Sequence, residues 1–203
     1  MLLESIKADL RAQVHTNYGT GFAFWVRVIG KSIASPAVHV TMMVRVSQAL
    51  YRSPLTRPLS FVLRGLAVVW GGTEIHPNTQ IGPGLCIVHS QKVIIGPGVT
   101  IGRNFRIGQG VTIAGDKGPI MPGSRQGFPV IGDDVTVSID AIVLGPVQVG
   151  DGAFVGAQSM VLRDVPARTM VRGSPAAVVR HLDEHGIPIR GEVSGDGDVE
   201  EPA

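Results

Sequence analysis

The chain has 203 residues, with 27 Gly, 14 Pro, one Cys and only 5% aromatic side chains. An apolar content of 44% supports a core and excludes a disordered chain, and the single cysteine, Cys86, excludes a disulfide framework or a cysteine-rich zinc site. The formal net charge of +2 is unevenly placed: +6 over residues 1–70, +2 over 71–182 and −6 over 183–203.

Residues 1–70 read as an α-helical cap. The opening MLLESIKADLRAQ carries acids and no long apolar run, so no signal peptide is expected there. No run approaches the roughly 18 apolar residues that predict a spanning helix. Leu3–Val14 is a short amphipathic candidate. Ser35-Pro36 is a helix-start signal for Ala37–Tyr51, where Val40, Met43, Val44, Val46 and Leu50 recur at near-helical spacing. Pro58 introduces Leu59–Trp70, apolar apart from Arg64, and this last helix is expected to cover the open end of the β-structure C-terminal to it. The basic cap lacks the dense Lys/Arg cluster with interleaved aromatics of a nucleic-acid surface. Contact of Phe61–Trp70 with a membrane surface is a second reading of the same charge.

A six-residue repeat occupies residues 71–180. Branched apolar residues recur at Ile75, Ile81 and Ile87, slip by two, and resume at Ile95, Ile101, Ile107 and Ile113. They return at Ile131, Val137, Val143, Val149, Val155 and Val161. Four positions after most repeat residues stands something apolar or small, such as Leu85, Phe105, Val135 or Ala153. Neighbouring inward positions therefore alternate as in a strand. Glycine commonly follows the repeat residue (Gly82, Gly96, Gly102, Gly108, Gly132, Gly150, Gly156) and is expected to turn the chain at a corner. A period of six fits no α-helix. Three short strands per coil of about 18 residues give a mainly β solenoid whose stacked coils share one core. The segment 114–129 interrupts the repeat without changing its phase, and is expected to protrude as a loop that replaces part of a coil. The remaining 181–203, acidic and glycine-rich, reads as a disordered tail.

Six histidines are present, and only His76 and His89 fall in the repeat. His89 sits where the phase slips, and such a local break in a regular pattern points to function. Glu74 stands 15 residues earlier, just before the first repeat isoleucine. The spacing places the two on adjacent coils near one edge, where a carboxylate can fix the imidazole tautomer and raise its basicity.

The stretch TEIHPNTQIGPGLCIVHS is similar to the serine acetyltransferase segment in which an acid precedes Ile-His-Pro and a catalytic histidine follows one coil later. GVTIAG, IGDDVTVSIDAIVLG, VGDGAFVGAQSMVL and VPARTMVRGSPA extend the resemblance across residues 72–178. The chain thus resembles the hexapeptide-repeat acyltransferases, which implies a left-handed parallel β-helix, although sterics alone favour right-handed crossovers. It also implies a homotrimer with sites in the clefts between neighbouring β-helices, a cytoplasmic location, acetyl-CoA as co-substrate and no metal. Carried over by resemblance, His89 is the general base and Glu74 orients it, although the family's acid is usually Asp. Backbone at Gly115, Ile139 and Ala157 would meet pantetheine, and Arg163 or Arg172 the CoA phosphates.

The departures bear on the acceptor. Where the family grips its amino acid with an Asp before Pro-Ala, an Asp before the catalytic His, and an Arg-His pair, this chain has Ser35, Val88, Gly127 and Phe128. A zwitterion loses its charged partners there, with Arg125 as a possible replacement. The expected acceptor is therefore a small-molecule hydroxyl less charged or larger than free L-serine. Competing expectations are a true serine O-acetyltransferase, a non-catalytic trimeric scaffold, an amino-sugar N-acetyltransferase, and a zinc enzyme using His76 and His89. Family members that dock on a cysteine-pathway partner end in Ile. This sequence ends Pro202-Ala203, so no such complex is expected.

Overall fold

A computed structural model describes residues 2–14, 26, 30, 34–115 and 126–189. Arg125, the middle of the expected loop and the final residues 190–203 lie outside them. The described cap contains α1 (Leu2–Val14), α2 (Pro36–Tyr51) and α3 (Arg57–Gly71). Pro36 occupies the first turn of α2, where its missing N–H costs nothing, and the Ser35 carbonyl accepts from the Val38 and His39 N–H groups at 3.1 and 3.3 Å. Helix α3 stops at Gly72, whose φ of +67° lets its N–H reach back to the Val68 carbonyl.

The repeat folds as a parallel β-helix of about four turns. The first coil contains β1 (Thr73–Ile75), β2 (Gln80–Ile81) and β3 (Cys86–Ile87), and the second β4 (Val93–Ile95), β5 (Thr100–Ile101) and β6 (Arg106–Ile107). The third contains β7 (Thr112–Ala114), β8 (Val130–Ile131) and β9 (Thr136–Val137), and the fourth β10 (Ile142–Leu144), β11 (Gln148–Val149) and β12 (Phe154–Val155). The chain closes with β13 (Met160–Val161), β14 (Thr169–Arg172) and β15 (Ala177–His181). Three faces result: β1-β4-β7-β10-β13, β2-β5-β8-β11, and β3-β6-β9-β12-β14-β15. All pairings are parallel except β14 with β15. Ile87, Ile107, Val137 and Val155 stack in register and are fully buried, as are the corner residues Leu85, Phe105 and Val135.

Three expectations change. Glycines such as Gly82 and Gly102 do not hold a left-handed backbone; those φ values fall two positions later, at Gly84, Asn104, Gly110, Asp134 and Asp140. What excludes a side chain at Gly102 is contact, since a Cβ there would lie 2.7 Å from the Gly132 carbonyl on the next coil. Secondly, the segment 114–129 replaces no face. Ile113 and Ile131 still sit on neighbouring faces, eighteen positions apart, where Ile95 and Ile101 are six apart; twelve residues are inserted at one corner. Thirdly, order continues beyond residue 180: Leu182 is buried and bridges Pro188.

The first coil has no coil beneath it, so its backbone polar groups need other partners. Asp9 of α1 and Arg45 of α2 supply them. Asp9 Oδ1 accepts from the Gly84 and Leu85 N–H groups at 2.9 and 2.8 Å. Arg45 donates to the Ile81 and Gly82 carbonyls, each at 2.6 Å. All three helices share the end cover: α1 and α2 supply these polar partners, and α3, running beside β1, packs Ala67 into the same core as Ala37, Val40 and Val44 of α2.

Candidate active site

His89 follows β3 at the corner between the third and first faces. The first coil advances twenty positions from Thr73 to its partner Val93, against eighteen from Ile94 to Thr112. The two extra residues fall at this corner and carry His89 outward, where it is exposed. Counting two positions from the paired residues of the third face, His89, Gln109, Ile139 and Ala157 occupy successive turns of the same edge. Backbone bonds tie the rungs together: Val88 N–H to Ile107 O at 2.9 Å, Asp140 N–H to Gln109 O at 2.9 Å, and Gln158 N–H to Ile139 O at 2.8 Å. Arg172, exposed, ends β14 on this edge. Ile139 is 42% exposed and Ala157 is also open to solvent.

Glu74 lies on β1, so it shares the first coil with His89 and does not occupy an adjacent one. Its carboxylate is bound by the Arg64 guanidinium of α3. The structure gives no hydrogen bond between Glu74 and His89. Arg64 was visible in the sequence only as the lone charge in an apolar helix, and that isolation is the signal that it has a partner.

Two more groups at the His89 corner escaped sequence reasoning. Trp70, near the end of α3, donates from Nε1 to Nδ1 of His39 on α2 at 3.2 Å. The next residue, Gly71, abuts Val40 and Ser90 so closely that no Cβ fits. The start of α2 and the end of α3 therefore meet beside His89, with Ser35 one helical turn before His39. Among the described residues, the buried Ser90 Oγ and Gln109 Oε1, both next to or one rung above His89, have no hydrogen-bond partner.

Other expected residues sit elsewhere. Gly115 and Phe128 lie at the corner between the first and second faces, where the Phe128 ring covers Gly98 and Gly115. Arg163, exposed, follows β13 at the same corner. One face of the prism separates this group from His89, so a single chain does not bring the two sets together. His76 is held by ring contacts to Tyr51 and Phe61, with centroids 6.0 and 5.7 Å away, and its Nδ1 accepts from the Asn78 N–H at 3.1 Å. Among the described residues, no three His, Cys, Asp or Glu side chains converge as metal ligands.

Residues 128–163 match the family described as bacterial transferase hexapeptide (six repeats). A Helicobacter pylori protein named serine acetyltransferase is 35% identical over 147 residues, 71% of this chain and 81% of the relative. The chain belongs to the serine acetyltransferase family. Its hexapeptide repeats are consistent with the left-handed form of the β-helix. A Bacillus licheniformis member is 38% identical over 147 residues, 70% of this chain, and the match spans 63% of that protein's length. A soybean serine acetyltransferase structure, complexed with serine, superposes with a TM-score of 0.75 at 33% identity, covering 88% of this chain and 69% of that one. No helix among the described residues is long and apolar enough to cross a membrane.

Proposed function

We propose that this chain is an acetyl-CoA-dependent O-acetyltransferase in which His89 is the general base. The exposed His89, on the edge it shares with Ile139 and Ala157, is the observation that carries the reading. His89 removes the proton from an acceptor hydroxyl as its oxygen attacks the thioester carbonyl. The tetrahedral intermediate collapses to the acetyl ester and CoA thiolate, and His89 returns the proton to sulfur. A positioned histidine typically contributes about 10²–10⁴-fold to such a transfer. Both substrates are held together, so no acyl-enzyme is required.

The donor runs along the edge of Ile139 and Ala157, with Arg172 and Arg163 as partners for CoA phosphates. The active unit is a cytoplasmic homotrimer in which the His89 edge of one copy faces the Gly115–Phe128 edge of the next. The separation of these groups within one chain supports that arrangement. Glu74 orients His89 in the assembled site, exchanging some or all of its contact with Arg64.

The acceptor is a hydroxyl compound less charged than free L-serine. Support comes from Ser35, Val88 and Phe128, none of which offers a charge. Phe128, seated on Gly98 and Gly115, presents an apolar ring. Serine itself is the second reading, favoured by the names of the relatives and the serine-bound soybean structure. Thiol release from acetyl-CoA, followed with L-serine and a panel of neutral alcohols and sugars, separates the two. The first reading expects a neutral acceptor with the higher kcat/KM; a clear preference for L-serine selects the second.

A further inference from the structure

We infer that the Trp70 indole is the platform on which the acceptor rests, and that the acceptor is a pyranose ring without an ammonium group; this rests on the acyl-transfer reading of His89 and names its substrate class. Trp70 is 61% exposed, although an aromatic side chain normally buries much of its surface. Its position is fixed from two sides. Nε1 donates to Nδ1 of His39 at 3.2 Å, and the two rings lie 5.9 Å apart at an interplanar angle of 57°. On the other side the next residue, Gly71, abuts Ser90, which itself follows His89. The Gly72 carbonyl then accepts from the Lys92 N–H at 2.9 Å. The indole thus stands beside the backbone that carries His89, and its hydrogen bond to α2 orients it before any ligand arrives.

Ser35 stands one turn before His39, at the start of α2. Its hydroxyl makes no capping bond to the helix, the usual role of a serine at that position. A fixed aromatic face with a hydroxyl and an imidazole beside it suits a ring polyol. The face covers the C–H side of the ring, and the polar groups exchange hydrogen bonds with its hydroxyls. Laid on the indole, such a ring presents its edge hydroxyls to the His89 corner.

Charge argues against an ammonium group on the acceptor. Residues 35–72 contain no Asp or Glu, the Glu74 carboxylate is bound by Arg64, and the exposed Lys92 past the corner repels another cation. An amino alcohol would meet the indole without a counter-charge. Among the described residues, only His39 brings a ring to Trp70, too few for the aromatic cage that holds a quaternary ammonium. A tryptophan that anchors at a membrane surface keeps its N–H for the wet side; here the N–H is spent on His39.

The test follows binding and turnover separately in the full chain. The indole N–H signal of Trp70 is identified in the heteronuclear NMR spectrum by its loss in Trp70→Phe. With CoA present, titration with the methyl glycosides of glucose, galactose, mannose and N-acetylglucosamine is expected to shift that signal for at least one of them, while glycerol, L-serine and choline leave it in place. In turnover with acetyl-CoA, Trp70→Ala is expected to raise KM for the best glycoside at least about ten-fold, with a much smaller fall in kcat, and Trp70→Phe to recover most of the loss. Where Trp70→Ala does not fold, the wild-type titration still decides. Glycosides that shift the signal but are never acetylated support the platform and count against acyl transfer by His89 instead. No shift with any of the four glycosides, the same glycoside KM in wild type and Trp70→Ala, or a larger response to L-serine or choline overturns the proposal.

Discussion

Asp9 and Arg45, 36 residues apart, form an ion pair at the end of the β-helix, with Asp9 at 0% and Arg45 at 4% exposure. Arg45 Nε reaches Asp9 Oδ2 at 2.6 Å, and both residues continue into the backbone of the first coil. The cap is thereby a hydrogen-bonded terminus for strands that lack a neighbour. Removing one member leaves a buried charge and several orphaned backbone groups. Asp9→Ala is expected to destabilise the fold by about 3–5 kcal/mol, measured by urea denaturation. A loss below about 1 kcal/mol contradicts this role.

The close stacking of coils predicts different costs for two glycines that look alike in the sequence. A Cβ on Gly102 meets the Gly132 carbonyl at 2.7 Å, whereas on Gly96 the nearest atoms are 3.6 Å away. Gly102→Ala is expected to cost about 1–3 kcal/mol through backbone displacement. Gly96→Ala should fall within about 0.5 kcal/mol of wild type. Equal melting shifts for the two would contradict the contact explanation.

Much of this architecture was legible because a six-residue period leaves a strong trace in Ile75, Ile81, Ile87 and their successors. The corner of His89 was legible for the same reason, since a slip of two is visible against a strict period. Long-range polar partners leave no such trace. Nothing near Asp9 in sequence announces Arg45, and nothing in the sequence ties Glu74 to Arg64. The two kinds of glycine were also indistinct, because contact between coils depends on stacking that only the folded chain defines.

Two surface carboxylates should titrate below their ordinary range. The Arg103 N–H, with its guanidinium, lowers Asp133, and the Ile187 and His185 N–H groups lower Asp183. A lowered folded value stabilises the native state above the ordinary value of 3.8 and is lost as pH falls through the folded one. Carboxyl NMR titration should find both below 3.8. Asp183 should be unaffected by Arg103→Met, while Asp133 moves upward. An unmoved Asp133 would show that the backbone N–H alone lowers it and that the guanidinium adds nothing.

Acceptor choice can be pushed towards a zwitterion by restoring a charge beside His89. Val88 is 38% exposed, so an acid there needs no burial. Val88→Asp should improve kcat/KM for L-serine relative to a neutral alcohol by about ten-fold, the scale of one charge-assisted hydrogen bond. The same ratio in both proteins would remove Val88 from the acceptor site.

The most direct measurement is the rate of CoA release from acetyl-CoA, with the best acceptor found, for wild type and His89→Ala. If His89 is the general base, the variant keeps its fold and assembly and loses about 10²–10⁴-fold in kcat. A His89→Ala protein that turns over as fast as wild type, or a folded wild type that neither binds CoA nor transfers acetyl to any acceptor, contradicts the account.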